Sequence, residues 1–291
     1  MRKVSYKDSV LTKWENCPGV PLIEKANTTY NIGLSYQYLG EYDLAKTYLD
    51  DALTTYENIP NYSPLELAKK YHSISTFYLD SHDFSRAELY YKNALNIYRN
   101  YSETEIQRFD ILNNLIVLCS DLKKSEYVNK YFDQALTLYR LFPQSISNSE
   151  LSMVYLNTGA ALWGSKDFDG AMQKSKIALS LIDKEDNPLY YAVALEVMAL
   201  IHDERGQREE ALNILKEVVS LRLKNLSNTD DYVGVAAAYE NIAEIYLEQG
   251  KFSEAEDYLK MLLTPSSQQD LMIKIISLSS VKKQRPEKTS I

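Results

Sequence analysis

NIGLSYQYLGEYDLAKTYLDDAL (Asn31–Leu53) and NIAEIYLEQGKFSEAEDYLKMLL (Asn241–Leu263) lie near opposite ends of a 291-residue sequence and share one plan. Each reads as an apolar helix, a short turn with Gly40 or Gly250, an aromatic (Tyr42 or Phe252), and a second helix holding Ala45 or Ala255. Apolar residues three and four apart mark one buried helical stripe. A small residue in each helix, Gly33 with Ala45 and Ala243 with Ala255, lets the two backbones approach. Glycine at the turn tolerates the left-handed conformation that ends a helix.

Four further copies lie between these two. The first helices carry Thr29/Ile32/Gly33/Tyr36, Tyr71/Ile74/Ser75/Tyr78, Leu112/Leu115/Ile116/Cys119, Tyr155/Thr158/Gly159/Leu162, Leu195/Met198/Ala199/His202 and Tyr239/Ile242/Ala243/Tyr246. The small residue of the second helix falls at Ala45, Ala87, Val128, Ala171, Ala211 and Ala255, in steps of 42, 41, 43, 40 and 44 residues. Regular self-similarity of this length is the mark of a repeat array. Pro60, Pro64, Pro143 and Pro188 fall between copies, where proline breaks no helix interior. The third copy is the weakest, with Val128 at the small position and no glycine at its turn.

This pattern resembles the tetratricopeptide repeat (TPR) superfamily. The resemblance implies an all-α fold, a right-handed α-α superhelical solenoid of about six helix hairpins. The expected organisation is an N-terminal capping helix or remnant at 1–25 and a solenoid over 26–265. Its repeats lie near 26–59, 68–101, 109–142, 152–185, 192–225 and 236–265; a capping helix at 266–281 and a tail at 282–291 follow. Within the superfamily, LRLKNLSNTDDYVGVAAAYENIAEIYLEQGKFSEAE is similar to kinesin light chain repeats. TTYNIGLSYQYLGEYDLAKTYLDDAL is similar to the Gram-positive peptide-pheromone receptors of the Rap, PlcR and NprR type. Those receptors carry an N-terminal effector domain, for which the roughly 25 residues before the first repeat are too few.

Composition narrows the function classes. A net charge of −8 opposes binding to nucleic acid, which rests on clustered Lys and Arg. No run is long and apolar enough to span a bilayer, and the N-terminus lacks the apolar stretch of a signal peptide. Cys17 and Cys119 have no companions at metal or redox spacing, so a cytoplasmic protein is expected. His72, His82 and His202 sit in different copies without partners at metal-site spacing, and no phosphate loop or nucleophile motif appears. Neither a metal, nor another cofactor, nor a catalytic residue is expected.

The TPR resemblance further implies that the first helix of each hairpin lines a concave groove. Its sixth position holds Asn31, Ser73, Asn114, Asn157, Val197 and Asn241. Asparagine is a poor helix-interior residue because its amide competes for backbone hydrogen bonds. Four of them at one position form either a ladder for the peptide units of an extended ligand or a set of interhelix bonds. Around them stand Tyr30, Tyr38 and His72 in the N-terminal half, and Glu196, Asp203, Glu204, Glu240, Glu244 and Glu248 in the C-terminal half. The acidic strip would attract a ligand with a basic segment. Trp163 is a candidate anchor or an interhelix packing residue. The fifth position lacks the Lys that chaperone-binding arrays use. The expected function is an interaction scaffold that takes an extended peptide or protein segment. The alternative is a sensor in which a small signalling peptide alters partner binding.

Overall fold

A computed structural model of the chain describes residues 19–225 and 229–262. The expected N-terminal helix, the C-terminal capping helix and the tail lie outside them. Among the described residues there are twelve α-helices and no strand: α1 (Leu22–Tyr38), α2 (Tyr42–Glu57), α3 (Pro64–Asp80), α4 (Phe84–Tyr98), α5 (Glu105–Asp121), α6 (Ser125–Leu141), α7 (Asn148–Gly164), α8 (Phe168–Leu181), α9 (Pro188–Glu204), α10 (Arg208–Lys224), α11 (Thr229–Glu248) and α12 (Phe252–Met261). They form six consecutive hairpins, so the fold is an all-α helical repeat. The hairpins belong to two compact units, 1–146 and 147–291, of three hairpins each.

Small residues set how closely each hairpin closes. Ala45, Ala87, Ala171, Ala211 and Ala255 are all fully buried. At Gly33 an added Cβ would stand 2.7 Å from Leu49 Cγ, so only glycine fits the α1–α2 seam as built. The third hairpin fills its seam with Ile116 and Val128, both buried, in place of a small pair.

The six hairpin turns share one geometry. The residue after each first helix's cap has positive φ: Gly40, His82, Lys123, Lys166, Gly206 and Gly250. In every case its N–H and the next one bond back to the helix's last turn, as in Gly40 to Gln37 (3.0 Å) with Glu41 to Tyr36 (2.9 Å). Lys123 bonds Ser120 (2.9 Å) and Lys124 bonds Cys119 (2.8 Å) in the same way. This is the Schellman closure, which satisfies orphan carbonyls. Glycine at half of these turns follows its conformational freedom; His82, Lys123 and Lys166 adopt the same conformation at a steric cost. Pro64 and Pro188 do not lie in loops but open α3 and α9, where the missing N–H is not needed.

The cores of the two units differ in chemistry. In the first two hairpins of the first unit, tyrosine rings fill the space between helices and their hydroxyls bridge them. Tyr56 donates to Asn27 (2.6 Å), Tyr71 to Glu57 (2.6 Å) and Tyr30 to Ser73 (2.5 Å). Tyr78 donates to Asp50, while Arg86 Nη1 reaches both the Tyr78 hydroxyl (2.8 Å) and Asp50 (3.0 Å). In the second unit the packing is aliphatic: Ala199, Ala211, Leu212, Leu215, Ile242 and Ile245 form one cluster, and Leu162, Ala171, Met172 and Ile201 another.

Candidate peptide-binding site

In the second unit, the first helices of three successive hairpins bring polar side chains to one cavity of about 250 Å³. Trp163 comes from the last turn of α7, Leu200, Asp203 and Glu204 from the end of α9, and Asn241, Glu244 and Glu248 from α11. Asn241, Glu244 and Glu248 share one face because they are three and four residues apart. The α9–α10 turn at Gly206 brings Arg208 into the same wall.

The wall is negatively charged and incompletely bonded. Four carboxylates, Asp203, Glu204, Glu244 and Glu248, face one guanidinium. Arg208 Nη2 donates to Glu248 (2.7 Å), but its Nε stands 3.8 Å from Asp203 Oδ1, and neither of those two atoms has a hydrogen-bond partner. Burial holds the Asp203 carboxyl above its ordinary range, and the charges of Glu248, Glu204 and Glu244 push the same way against Arg208. The indole N–H of Trp163 is buried and unbonded as well. A buried polar group without a partner costs about 1–3 kcal/mol, so these atoms favour a ligand or water that bonds them.

A second group of residues supports the cavity. Glu196 accepts from Arg222 Nη2 (2.9 Å) and from Asn241 Nδ2 (3.4 Å). Arg222 is itself buried, and Gly234 makes room for it: a Cβ there would lie 1.9 Å from Arg222 Nη1. Asn241 is therefore held by a neighbouring helix while its edge remains in the cavity wall.

The sequence-predicted residues thus divide. Trp163, Asp203, Glu204, Asn241, Glu244 and Glu248 meet in one cavity, with Glu196 bonded to Asn241. Glu240 is half-buried on α11 and Asn157 half-buried on α7, and neither lines that cavity. In the first unit Tyr30 is buried, its ring carrying the Lys70 ammonium at 4.0 Å. His72 packs edge-on against Tyr91 (6.0 Å) and Tyr98 (6.4 Å), and burial lowers its pKa to about 4. Asn114 sits half-buried beside the Tyr91 hydroxyl. Asn31 and Tyr38 are exposed on α1, Tyr38 at 91%. Sequence reasoning missed Arg208 and Leu200. The one signal for Arg208 was its place two residues after the turn glycine.

Comparison with known proteins bears on what this arrangement belongs to. One tetratricopeptide repeat family model matches residues 24–100, and a second matches 192–230 and 235–264. The chain belongs to the tetratricopeptide repeat superfamily. No curated protein matches it. Among solved structures, this TPR chain is similar to the apo form of RapI, at 15% identity over 92% of this chain and 80% of that one, with a TM-score of 0.66. It is similar to BtubC (BKLC) from P. vanneervenii, at 18% identity over 78% and 91%, TM-score 0.57. It is also similar to the Rap conjugation gene regulator of plasmid pLS20 in complex with the Phr* peptide, at 15% identity over 82% and 73%, TM-score 0.57. At such identities the likeness is one of fold. No described helix of the TPR chain is long and apolar enough to cross a membrane.

Proposed function

We propose that this TPR protein is a cytoplasmic interaction scaffold that holds an extended peptide segment on the first-helix face of its second unit. A basic side chain of the ligand enters among Asp203, Glu204, Glu244 and Glu248, and a ligand carbonyl accepts the Trp163 indole N–H. The single observation behind this reading is that unbonded buried atoms, Trp163 Nε1 and Asp203 Oδ1, meet in one cavity with excess negative charge. A guanidinium or ammonium supplies the missing positive charge, and a peptide backbone supplies the acceptor. Asn241, fixed by Glu196, is placed to pair with a second peptide unit. The repeat fold itself is that of a non-catalytic interaction scaffold.

The test is an array of octapeptides probed with the full chain, followed by thermal melting with the strongest ligands. A peptide that binds only the folded state must raise the melting temperature by mass action. Basic peptides should bind, and the Glu244→Gln/Glu248→Gln variant should lose them about tenfold or more. Equal binding of basic and neutral peptides, or of both by the variant, would overturn the reading.

A second reading is favoured by the pLS20 Rap regulator, whose structure of similar fold holds a peptide. Here the ligand would be a small signalling peptide whose binding changes the affinity for another protein. That requires two sites with a coupling free energy between them. Measuring the affinity of a captured partner with and without the peptide separates sensor from scaffold.

A further inference from the structure

The first unit carries a cavity of the opposite chemistry, about 340 Å³ in volume. It lies between α4 and α6, the second helices of neighbouring hairpins, with α5 as its floor. Leu95, Leu112 and Leu138 line it as buried side chains, and Leu141 stands at its edge, 67% exposed. Arg99 and Arg108 complete the wall with Asp133, Gln134 and Thr137.

Two arginines in one leucine-lined wall are the distinguishing feature. Four other arginines are matched with carboxylates: Arg86 with Asp50, Arg208 with Glu248, Arg222 with Glu196 and Arg205 with Asp169. Among the described residues, Arg108 has no ion pair, only the Phe142 ring at 5.8 Å, and Arg99 bonds only Gln134 (3.1 Å). Each guanidinium carries five N–H donors in a fork that matches a carboxylate. Two underused forks beside a leucine slot define a ligand that joins one carboxylate to an aliphatic group. Asp133 shares the wall and repels a second carboxylate there, but can accept a backbone N–H.

We propose that this cavity is a second docking site, which takes a peptide segment of a partner protein bearing an aliphatic side chain beside an acidic one. The aliphatic group fills the slot between Leu95, Leu112 and Leu138, and the carboxylate bridges Arg99 and Arg108. Charge complementarity selects this partner: the arginines stand against a chain of net charge −8, so they attract anions only locally. A phosphate backbone, which needs extended basic surface, is not matched by two arginines over leucine. The site lies on second helices of the first unit, whereas the site proposed above lies on first helices of the second, so the two can be occupied by ligands of opposite charge.

The same octapeptide array decides the matter. The wild-type chain should retain a set of peptides that pair Leu or Ile with Glu or Asp. Fluorescence anisotropy with labelled members of that set should show about a tenfold or greater loss of affinity in Arg99→Gln/Arg108→Gln, the loss of a charge-assisted bond. Basic peptides should bind that variant as before, and its melting curve should match the wild type. Absence of the acidic–aliphatic set from the wild-type ligands, or its undiminished binding to the double variant, would overturn the proposal. A Leu138→Ala variant supplies an independent arm, since it keeps both charges and should weaken peptides with the larger aliphatic side chains most.

Discussion

Tyrosine hydroxyls bridge the first two hairpins of the first unit, whereas clusters of aliphatic side chains hold together the hairpins of the second. Tyr30, Tyr71 and Tyr78 each reach from one hairpin to the next, to Ser73, Glu57 and Asp50. In the second unit the corresponding seams hold Leu215 and Ile242, or Leu156 and Ala194, with no hydroxyl required. The polar groups freed from packing there are the carboxylates around Trp163. The same hairpin therefore admits two ways of closing its stack. A tyrosine stack spends its polar atoms internally, with Tyr91 pushed up to about 12 by burial. The aliphatic stack binds some polar groups internally, Arg222 and Asn241 on Glu196, and gathers others around one cavity.

Removing single hydroxyls should separate the two units most. Tyr78→Phe should destabilise the protein by about 1–3 kcal/mol, because it takes a bond from Asp50 and an acceptor from Arg86. Tyr246→Phe in the second unit should stay within about 0.5 kcal/mol, since Tyr246 stacks on Tyr258 at 5.7 Å and no bond to its hydroxyl is among those described. Urea titrations of both variants measure the difference; equal losses would show that hydroxyls are not what distinguishes the units.

Histidine protonation should distinguish the tyrosine stack at acid pH. His72 has a folded pKa of about 4 against an ordinary 6.5, so the unfolded chain takes up the proton first. The stability it contributes is present above pH 6.5 and falls away between about 6.5 and 4. Melting temperatures across that window should drop in the wild type and drop less in His72→Phe, a difference on the order of 1–2 kcal/mol. A slope unchanged by the substitution would place the acid sensitivity elsewhere.

The smallest effect concerns the turns. Lys123→Gly should stabilise the protein by about 0.5–1 kcal/mol by relieving a positive φ of 55°, and Gly206→Ala should destabilise it by about 1 kcal/mol at φ 75°. Calorimetry on both would measure the strain that non-glycine residues carry at these turns, at two positions in the first unit (His82 and Lys123) and one in the second (Lys166).

The all-α hairpin plan was legible in the sequence, because Ala45, Ala87, Ala171, Ala211 and Ala255 recur on a stripe that only a paired helix would bury. The first helix begins at Leu22, a turn before the sequence pattern becomes recognisable, since Leu22–Lys25 match no repeat position. Candidate site residues were legible only by type. The reading placed Tyr30 and His72 beside Asn31 as ligand contacts, whereas the fold buries Tyr30 and packs His72 among tyrosines. The sequence places Asn241 among the amides and Glu196 among the carboxylates, and the bond between them follows from the packing of α9 beside α11.

The sequence alone determined a chain of helix hairpins, with small residues at the seams and glycine at three of the turns. Those features are periodic and local, so each copy repeats the signal. Only the tertiary structure decided that His82, Lys123 and Lys166 close their turns as the glycines do, that Arg208 enters the wall opposite Trp163, and that Arg99 and Arg108 share a leucine-lined cavity. The turns close by local backbone bonds on residues that disfavour positive φ, and both cavities depend on the approach of side chains from different helices. That approach is set by packing across the whole unit, which no single repeat encodes.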